Sequence, residues 1–321
     1  MIKNKKWFLG LIALLLIAIP FLSLILVGRL RLITTFESIL SQCQVVAPPE
    51  KGLFINGSFV EFEQKRWMAL RKIEGRNSFI HLASELNGEL REGVRLDLGS
   101  AHAEDPRLIV FKGQLVVVYN DLVGPLRRVH LAFLQKTDDR FAVEKIQLLS
   151  LEGAMQDSEK NWVPFVYGSG LYFIYQTAPW TVLEWHPDGL CTLFAQKDFS
   201  LPNLRGGTPA VQIGDEYLSF FHIRSGTTRS YISWNRNIYL MGAYTFDAKP
   251  PFFPKRVTVN PLSYPGAYSL LTNYRKTLYP AGLIEKSDSF LVSLGINDDR
   301  TEIVTLRKSD LFAALKELKS Q

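Results

Sequence analysis

The sequence has few of the residues that build metal or redox sites. Its 321 residues include two cysteines, Cys43 and Cys191. Neither belongs to a Cys-x-x-Cys pair, and no two histidines have the spacing His-x-x-x-His. A zinc or thiol redox motif is therefore excluded, and no metal or other cofactor is required. A disulfide between the two cysteines is left open, because the sequence does not give their separation.

Blocks of like charge are also missing. Lysines and arginines number 37 against 31 acidic residues, and the basic residues are scattered along the chain. A nucleic-acid-binding domain has a basic stripe or a recognisable module, and the sequence contains neither. It also lacks the Gly-x-Ser-x-Gly turn of α/β hydrolases and the phosphate-binding loop of nucleoside triphosphatases. These absences argue against nucleic acid as a partner and against both enzyme classes.

One long apolar run stands at the N-terminus. From Trp7 to Gly28 every residue is apolar or small apart from Ser23. As a helix this run would be roughly 33 Å long, enough to cross a bilayer. It is longer than the apolar core of a cleaved signal peptide. We therefore interpret residues 1–31 as a cytoplasmic stub and an uncleaved transmembrane anchor, which makes the membrane a predicted partner.

The flanking charges predict the topology of this single-pass anchor. Lys3, Lys5, Lys6 and the amino terminus slightly outweigh Arg29 and Arg31. This bias favours a cytoplasmic N-terminus, with the bulk of the chain on the outer, periplasmic or lumenal side. Residues 32–50 are predicted to form a stalk that is helical at first, and residues 51–321 to form one folded domain.

Beyond residue 50 the composition is that of a β protein. The chain is 47% hydrophobic and 12% aromatic, which is enough for a large core. Short stretches rich in Val, Ile, Tyr, Phe and Thr alternate with Gly, Pro, Asn and Asp, as expected for strands and turns. Ser309–Leu318 is an exception and is predicted to be a short helix.

One pattern recurs five times in this domain. A polar or small residue and a proline precede a short apolar strand, a turn and a second apolar strand. The starts lie near residues 56, 105, 161, 207 and 279, and the first of them lacks the proline. A period of 40–50 residues with several strands in each repeat predicts a β-propeller. The fold class is therefore all-β, a five-bladed β-propeller behind an N-terminal transmembrane helix.

The prolines suggest where a site would form. Proline cannot donate a ladder hydrogen bond, so it is placed at the first residue of a strand or on an edge. The innermost strand of a propeller blade begins near the central channel. We therefore expect the residues at the strand starts to surround one funnel, namely Asp105, Asn161, Thr208 and Tyr279. The alternative is that they are ordinary turn residues.

Several of these motifs, in their order and spacing, resemble glycoside hydrolase family 130, the five-bladed propeller enzymes that act on β-mannosides. The resemblance covers most of the chain beyond residue 50. It rests on Glu104-Asp105-Pro106-Arg107, Lys160-Asn161-Trp162-Val163-Pro164-Phe165, Gly207-Thr208-Pro209, Met241-Gly242-Ala243-Tyr244, Tyr279-Pro280-Ala281-Gly282-Leu283 and Gly295-Ile296-Asn297-Asp298.

The resemblance implies a sugar site in the funnel with Asp105 as the general acid. In phosphorylase members this acid donates its proton through a sugar hydroxyl, and phosphate attacks the anomeric carbon with inversion. Positions that match sugar-binding residues of the family are Asn56, Arg71, Asn161 and Asp298. The candidates to hold phosphate are Arg107, Lys160, Arg205 and His222. Among the aromatic residues, Tyr244 is the strongest candidate to stack on a sugar face.

The sequence also departs from the family pattern. Phosphorylases of the family carry a lysine in the Gly-rich segment before Gly207-Thr208-Pro209, where only Arg205 can stand in. Inorganic phosphate is therefore a candidate co-substrate and not a firm expectation. Hydrolysis by water, or transfer of mannose to a glycan acceptor, fits the same pocket.

A second acid would be needed for an inverting hydrolase. The candidates are Asp298, Asp121 and Glu104, although Glu104 is expected to point away from Asp105 because adjacent strand residues alternate faces. The chain is thus predicted to be a glycosidase, phosphorylase or mannosyltransferase acting on a β-mannoside or related glycan. The alternatives are a non-catalytic glycan-binding propeller at the cell envelope and a scaffold propeller with an empty funnel.

Overall fold

The computed structural model describes residues 40–137, 140–153, 155–199, 201–225, 238–263 and 276–318, together with residues 19, 37 and 38. The predicted transmembrane anchor lies outside these residues except for Ile19. Within the described part of the chain, no helix combines the length and the apolar character needed to cross a membrane.

The described residues are almost all in β-strands. Two strands come first, β1 (Glu37–Ser38) and β2 (Leu40–Val45). Two four-stranded antiparallel sheets follow, each with its strands in chain order. Blade 1 contains β3 (Leu53–Phe62), β4 (Lys65–Glu74), β5 (Asn77–Leu86) and β6 (Glu89–Arg95). Blade 2 contains β7 (Glu104–Phe111), β8 (Gln114–Val123), β9 (Leu126–Thr137) and β10 (Arg140–Leu148).

The third sheet repeats this plan. Blade 3 contains β12 (Val163–Tyr167), β13 (Gly170–Thr177), β14 (Trp180–Trp185) and β15 (Leu190–Lys197). The short β11 (Ser150–Leu151) runs parallel to the outermost strand, β15.

The last two sheets are joined by a short parallel contact. Blade 4 contains β16 (Arg205–Gly206), β17 (Val211–Ile213), β18 (Glu216–Ser225), β19 (Ile238–Asp247) and β20 (Pro254–Thr258), with β21 (Leu262–Ser263) beside β19. Blade 5 contains β22 (Lys276–Glu285), β23 (Ser289–Ile296) and β24 (Arg300–Arg307). The two sheets meet where β19 pairs with β22.

The sheets are arranged as a closed ring. The first strand of blade 1, β3, packs against β7 of blade 2 and β22 of blade 5. Blade 2 contacts blade 3 through β7 and β12, blade 3 contacts blade 4 through β13 and β16, and blade 4 contacts blade 5 through β18 and β22. Five antiparallel sheets in a ring form a five-bladed β-propeller, so the predicted architecture of the domain is confirmed.

The ring is closed by a strand that the sequence prediction missed. β2 pairs antiparallel with β24, from Leu40 opposite Leu306 to Val45 opposite Glu302, and becomes the fourth strand of blade 5. Residues 40–45 therefore belong to the propeller, and the predicted stalk over residues 32–50 is wrong at this point. The error has a physical cause, because the partner strand lies about 260 residues away and no local pattern announces it.

The core consists of layers between neighbouring blades. On β8, Val117 belongs to the cluster shared with blade 1, while Val116 and Val118 belong to the cluster shared with blade 3. Side chains of a strand alternate between its two faces, and both faces of a propeller blade are covered. This explains why Leu115–Tyr119 is apolar throughout. All five of its residues are at most 1% exposed.

The C-terminus differs from its predicted form. A helix, α1, spans Lys308–Ala314, but Leu315–Glu317 forms strand β25. This strand pairs with β20 from Thr258 opposite Leu315 to Arg256 opposite Glu317. The predicted helix over Ser309–Leu318 is therefore too long, since tertiary pairing overrides the local helical preference of its end.

Candidate functional site

Three blades present the same unusual backbone conformation at the start of the inner strand. Asn56, Asp105 and Asn161 have φ angles of 52°, 54° and 62°. Non-glycine residues are rare in this left-handed region, where Asn and Asp are enriched. The repeated pattern in the sequence therefore marks a repeated backbone geometry, which turns a polar side chain out of the regular alternation of the strand.

The strand of Asp105 shows how this happens. Glu104 pairs with Asn120 and Arg107 pairs with Val118, so two residues, Asp105 and Pro106, form a bulge in the register. Proline is tolerated there because no ladder hydrogen bond is lost. The bulge also breaks the alternation, and Glu104 and Asp105 contact the same arginine. The expectation that Glu104 points away from Asp105 is wrong for this reason.

Asp105 is held by blade 1. Nδ2 of Asn56 donates a hydrogen bond to Oδ1 of Asp105 at 2.8 Å, and Nη1 of Arg71 donates to the same oxygen at 3.3 Å. Oδ2 accepts no hydrogen bond from any residue that the structure describes. The side chain is 15% exposed. One carboxyl oxygen is thus fixed by protein donors, and the other is left for a proton or a ligand.

Arg71 is itself fixed through all three guanidinium nitrogens. Its Nη2 lies 3.1 Å from Oε2 of Glu104, and its Nε donates to Oγ of Ser78 at 2.8 Å. The Ser78 hydroxyl in turn donates to the carbonyl of Ala103 at 2.6 Å. The guanidinium therefore bridges two carboxylates in a defined orientation.

Glu104 joins a second arginine to this network. Its Oε1 lies 2.9 Å from Nη1 of Arg127, at the start of β9. Burial and the neighbouring Asp105 carboxylate raise the pKa of Glu104, and the opposing effects of Arg71, Arg127 and Lys160 are smaller. Neither Arg127 nor Ser78 belongs to a sequence motif that predicts a role in this network.

Arg107 lies in the centre of the ring. Its Nε donates to the carbonyl of Gly207 at 2.7 Å, and its Nη2 donates to the carbonyl of Gly206 at 2.9 Å. Nη2 also contacts Oδ1 of Asn161 at 3.2 Å and the Tyr279 hydroxyl at 2.9 Å. The side chain is 1% exposed. Its donors connect blade 2 to blades 3, 4 and 5, so Nε and Nη2 are engaged within the protein, and the role of Arg107 in holding phosphate stays a prediction.

His222 lies beside this arginine. It is buried opposite Arg205 in the pairing of β16 with β18, and its ring centroid is 5.0 Å from that of Tyr279. Burial, with the positive charges of Arg107 and Arg205, lowers the pKa of His222 to about 3. Its Nδ1 has no hydrogen-bond partner among the described residues. His222 is therefore neutral at physiological pH and can serve as a hydrogen-bonding group.

The remaining predicted site residues lie around this centre. Lys160 is exposed and precedes Asn161, and its charge acts on both Glu104 and His222. Arg205 is half-buried on β16. Asp298 has a φ of 55° in the turn after Gly295. A Cβ at residue 295 would lie 1.8 Å from Oδ1 of Asn56, which shows how closely blades 5 and 1 approach there.

Two predicted roles disagree with the structure. Tyr244 is 1% exposed and packs against Trp180 and Phe221, with centroid distances of 5.4 and 6.1 Å. Its place on β19 directs the ring into the aromatic core, so the prediction that Tyr244 stacks on a sugar face is wrong. Asp121 is buried and accepts a hydrogen bond from Ser100 at 2.7 Å. Of the three acids considered as partners of Asp105, Glu104 is the one that shares its arginine.

Comparison with known proteins places this geometry in context. No family model matches the chain. One segment is similar to Beta-mannosyltransferase 2 of Candida albicans (strain SC5314 / ATCC MYA-2876), with 27% identity over 124 residues. The match covers 33% of this chain and 18% of that protein, so the chain spans less than a fifth of this relative.

The fold has many solved counterparts. MPT-4, a mannose phosphorylase from Leishmania mexicana, has a TM-score of 0.62 at 11% identity, covering 88% of this chain and 93% of its own. MPT-1, a GDP-Man-dependent mannosyltransferase from the same organism, has a TM-score of 0.58 at 10% identity, covering 88% and 94%. A third structure comes from the GH130 family of mannoside phosphorylases, which contains glycoside hydrolases that target β-1,2 mannosidic linkages in Candida mannan. It has a TM-score of 0.54 at 14% identity, covering 81% of this chain and 86% of its own. The chain thus has a GH130-like propeller fold.

Proposed function

We propose that this protein is a carbohydrate-active enzyme that acts on mannosides, with Asp105 as the general acid. The observation that carries the proposal is the asymmetric environment of the Asp105 carboxyl. Asn56 and Arg71 both bind Oδ1, and no described residue binds Oδ2. A general acid needs one oxygen that can present a proton to the leaving group. The fold neighbours support the substrate class, since the three named above are enzymes of mannoside or mannosyl chemistry.

The chemistry follows from this arrangement. The proton carried on Oδ2 passes, directly or through a sugar hydroxyl, to the glycosidic oxygen as the bond between that oxygen and C1 breaks. An incoming oxygen nucleophile forms the new bond to C1. The residual charge of the carboxylate then rests on Oδ1, where the Arg71 guanidinium and the Asn56 amide stabilise it. Asn56, Asn161 and Asp298 are proposed to contact the sugar.

The nucleophile enters from the side of Lys160 and Arg205. Arg205 lies opposite His222 in the pairing of β16 with β18, and the charges of Lys160 and Arg107 also act on this neutral histidine. Neither Lys160 nor Arg205 forms an ion pair with a carboxylate among the described residues, and cations of this kind favour a phosphate-bearing co-substrate. We therefore propose mannosyl transfer that uses such a co-substrate. Inorganic phosphate is the nucleophile of the step described above. With a sugar nucleotide the step runs in the opposite direction: the acceptor hydroxyl attacks C1, the nucleotide phosphate leaves, and the Asp105 carboxylate takes the proton of the hydroxyl. The segment similar to Beta-mannosyltransferase 2 supports the transfer chemistry.

A product analysis tests the proposal. The full chain is incubated with β-linked mannobiose with and without phosphate, and separately with GDP-mannose and a mannoside acceptor. Mannose 1-phosphate in the first arm or a lengthened acceptor in the second supports transfer, and free mannose alone identifies a hydrolase. The result that would overturn the enzyme assignment is mannoside binding with no turnover in any arm.

The variant Asp105→Asn tests the role of the acid. We expect turnover to fall by at least about 100-fold, since general acid catalysis contributes roughly 10²–10⁴-fold. Asp215→Asn is the matched control, because Asp215 is 88% exposed in blade 4 and pairs with Lys255 far from the funnel. If Asp105→Asn retained the activity of the wild type, Asp105 would not be the acid.

A further inference from the structure

A second carboxylate belongs to the site although nothing in the proposed reaction calls for it. Glu104 is half-buried between two arginines, with its side chain 13% exposed. Its two carboxyl oxygens contact different arginines: Oε2 lies 3.1 Å from Arg71, and Oε1 lies 2.9 Å from Arg127. Removing a second carboxylate from water next to Asp105 costs free energy unless opposite charges lie close to it. The two guanidiniums supply that compensation.

The cluster is balanced in charge. Two carboxylates, Glu104 and Asp105, face two guanidiniums, Arg71 and Arg127, contributed by β7, β4 and β9. Lys160 is the further charged group that acts on Glu104. Without Glu104, the two arginines and Lys160 would face Asp105 alone. An excess of positive charge of that kind favours the ionised form of a carboxyl group, which cannot donate a proton.

The geometry also makes Glu104 a support for Arg71. Nη1 of Arg71 contacts Asp105 and Nη2 contacts Glu104, so the plane of one guanidinium is defined by both acids. Bidentate and bridging arginine contacts fix orientation as well as charge. Removing Glu104 frees Nη2 to turn toward Asp105, where it would compete for the oxygen that carries the proton.

We propose that Glu104 is a positioning residue of this site, which holds Arg71 on Oδ1 of Asp105 and offsets the positive charge of Arg71 and Arg127, the two arginines that it contacts. This inference rests on the proposed function, in that Asp105 must act as an acid for the positioning to matter. The electrostatic coupling between the two carboxyl groups can nevertheless be measured without turnover.

The direct test is a titration of Glu104 followed by NMR. The full chain is labelled with ¹³C at the side-chain carboxyl of glutamate, and the signal lost in Glu104→Gln is assigned to Glu104. We expect its titration midpoint to fall by about one pH unit in Asp105→Asn, because a like charge is removed. We expect it to rise in Arg127→Gln, because an opposite charge is removed. If Glu104→Gln does not fold, the glutamate signal that moves in opposite directions in the other two variants identifies Glu104.

The kinetic test uses the pH profile of kcat/KM. In Glu104→Gln the alkaline limb, where the acid loses its proton, should move to lower pH by about one unit. A purely structural role would lower the rate without moving the limb. Glu89→Gln is the control, because Glu89 pairs with Arg91 on an exposed strand and should leave the profile unchanged.

The outcomes separate the two ideas. If the Glu104 midpoint is the same as in the wild type in both Asp105→Asn and Arg127→Gln, the positioning inference is overturned whatever the activity shows. If Asp105→Asn keeps full turnover while the Glu104 midpoint shifts, the coupling is real and the proposed function fails. Loss of turnover in Asp105→Asn together with opposite midpoint shifts supports both.

Discussion

Two arginines on either side of Asp105 have opposite surroundings. Arg71 of blade 1 is 22% exposed and faces two carboxylates, Glu104 and Asp105. Arg107 of blade 2 is 1% exposed and donates to three backbone carbonyls, an amide oxygen and a phenol. Neither environment can be read from the residue type. The comparison shows that one side of the acid is arranged around charge and the other around connections between blades.

The difference has a cause in the ring itself. A propeller with five blades brings five inner strands to one axis, where their starting backbone groups leave the sheet ladder and need partners. Arg107 satisfies the carbonyls of Gly206 and Gly207 across that axis. Arg71 lies outside this crowded centre, where water reaches its partners. A cation at the axis therefore stabilises the ring, and a cation beside it can take part in chemistry.

The largest expected difference between the two arginines is in stability, when the side chain of Arg107 is replaced. Arg107→Met leaves four acceptors across blades 3, 4 and 5 without their donor, and each buried unsatisfied group costs about 1–3 kcal/mol. We expect the free energy of unfolding to fall by about 3–5 kcal/mol in urea denaturation. Arg71→Met should cost about 1 kcal/mol, because its ion pairs are partly exposed and screened.

Arg107→Lys tests whether the charge alone is enough for stability. Lysine keeps the charge but cannot direct Nε and Nη2 to separate acceptors, so it should recover less than half of the lost stability. Equal losses for Arg107→Met and Arg71→Met would contradict the division between a structural and a functional arginine.

The sequence predicted the blades because each repeat is a local pattern. The strand Leu115–Tyr119 is apolar throughout, and the polar residue and proline before it mark the start of an inner strand, so neither inference needed a distant contact. The strand at Leu40–Val45 was missed because its partner, β24, lies at the other end of the chain. Pairing across such a distance leaves no trace in neighbouring residues.

The same reasoning applies to the predicted site residues. The strand starts at Asn56, Asp105 and Asn161 follow from the repeat, and the structure gives all three a left-handed backbone. The direction of Glu104 was predicted wrongly because alternation assumes a regular strand and the bulge at Asp105 removes it. Arg107 and Tyr244 were assigned by residue type, which does not distinguish a buried partner from a ligand-binding group.

The variant Arg71→Gln tests the contacts that Arg71 makes with Asp105 and Glu104. This change removes one of the two donors to Oδ1 of Asp105 and the bridge to Glu104. A hydrogen bond to a charged group contributes about 1.5–3 kcal/mol, so kcat/KM should fall by roughly 10–100-fold with little change in thermal stability. The measurement is steady-state kinetics on the substrate found in the product analysis.

The matched control for this variant lies on the same strand. Arg66 of β4 is 23% exposed, close to the value for Arg71, and pairs with Glu85 away from the funnel. Arg66→Gln should leave kcat/KM unchanged. A similar kinetic loss in both variants would show that the effect arises from strand β4 as a whole and not from the contact with Asp105.

The smallest expected effect concerns His222 on the structural side. Its pKa in the folded state is lowered to about 3 by burial and by nearby cations, while an unfolded histidine titrates near 6.5. Between these values the unfolded chain binds a proton that the folded chain does not. Stability is therefore full above about pH 6.5 and falls as the pH drops toward 3, with a slope of up to one proton from this residue. In His222→Gln the dependence of the unfolding free energy on pH should become shallower by that amount, as measured by urea denaturation from about pH 3 to about pH 7, the window set by the two pKa values. His186→Gln provides the comparison, because His186 is half-buried in blade 3 and bonds Thr192 at 2.9 Å away from the axis. An unchanged slope in His222→Gln would mean that His222 binds a proton in the folded protein as it does in the unfolded chain. Burial and the charge of Arg107 would then not exclude that proton.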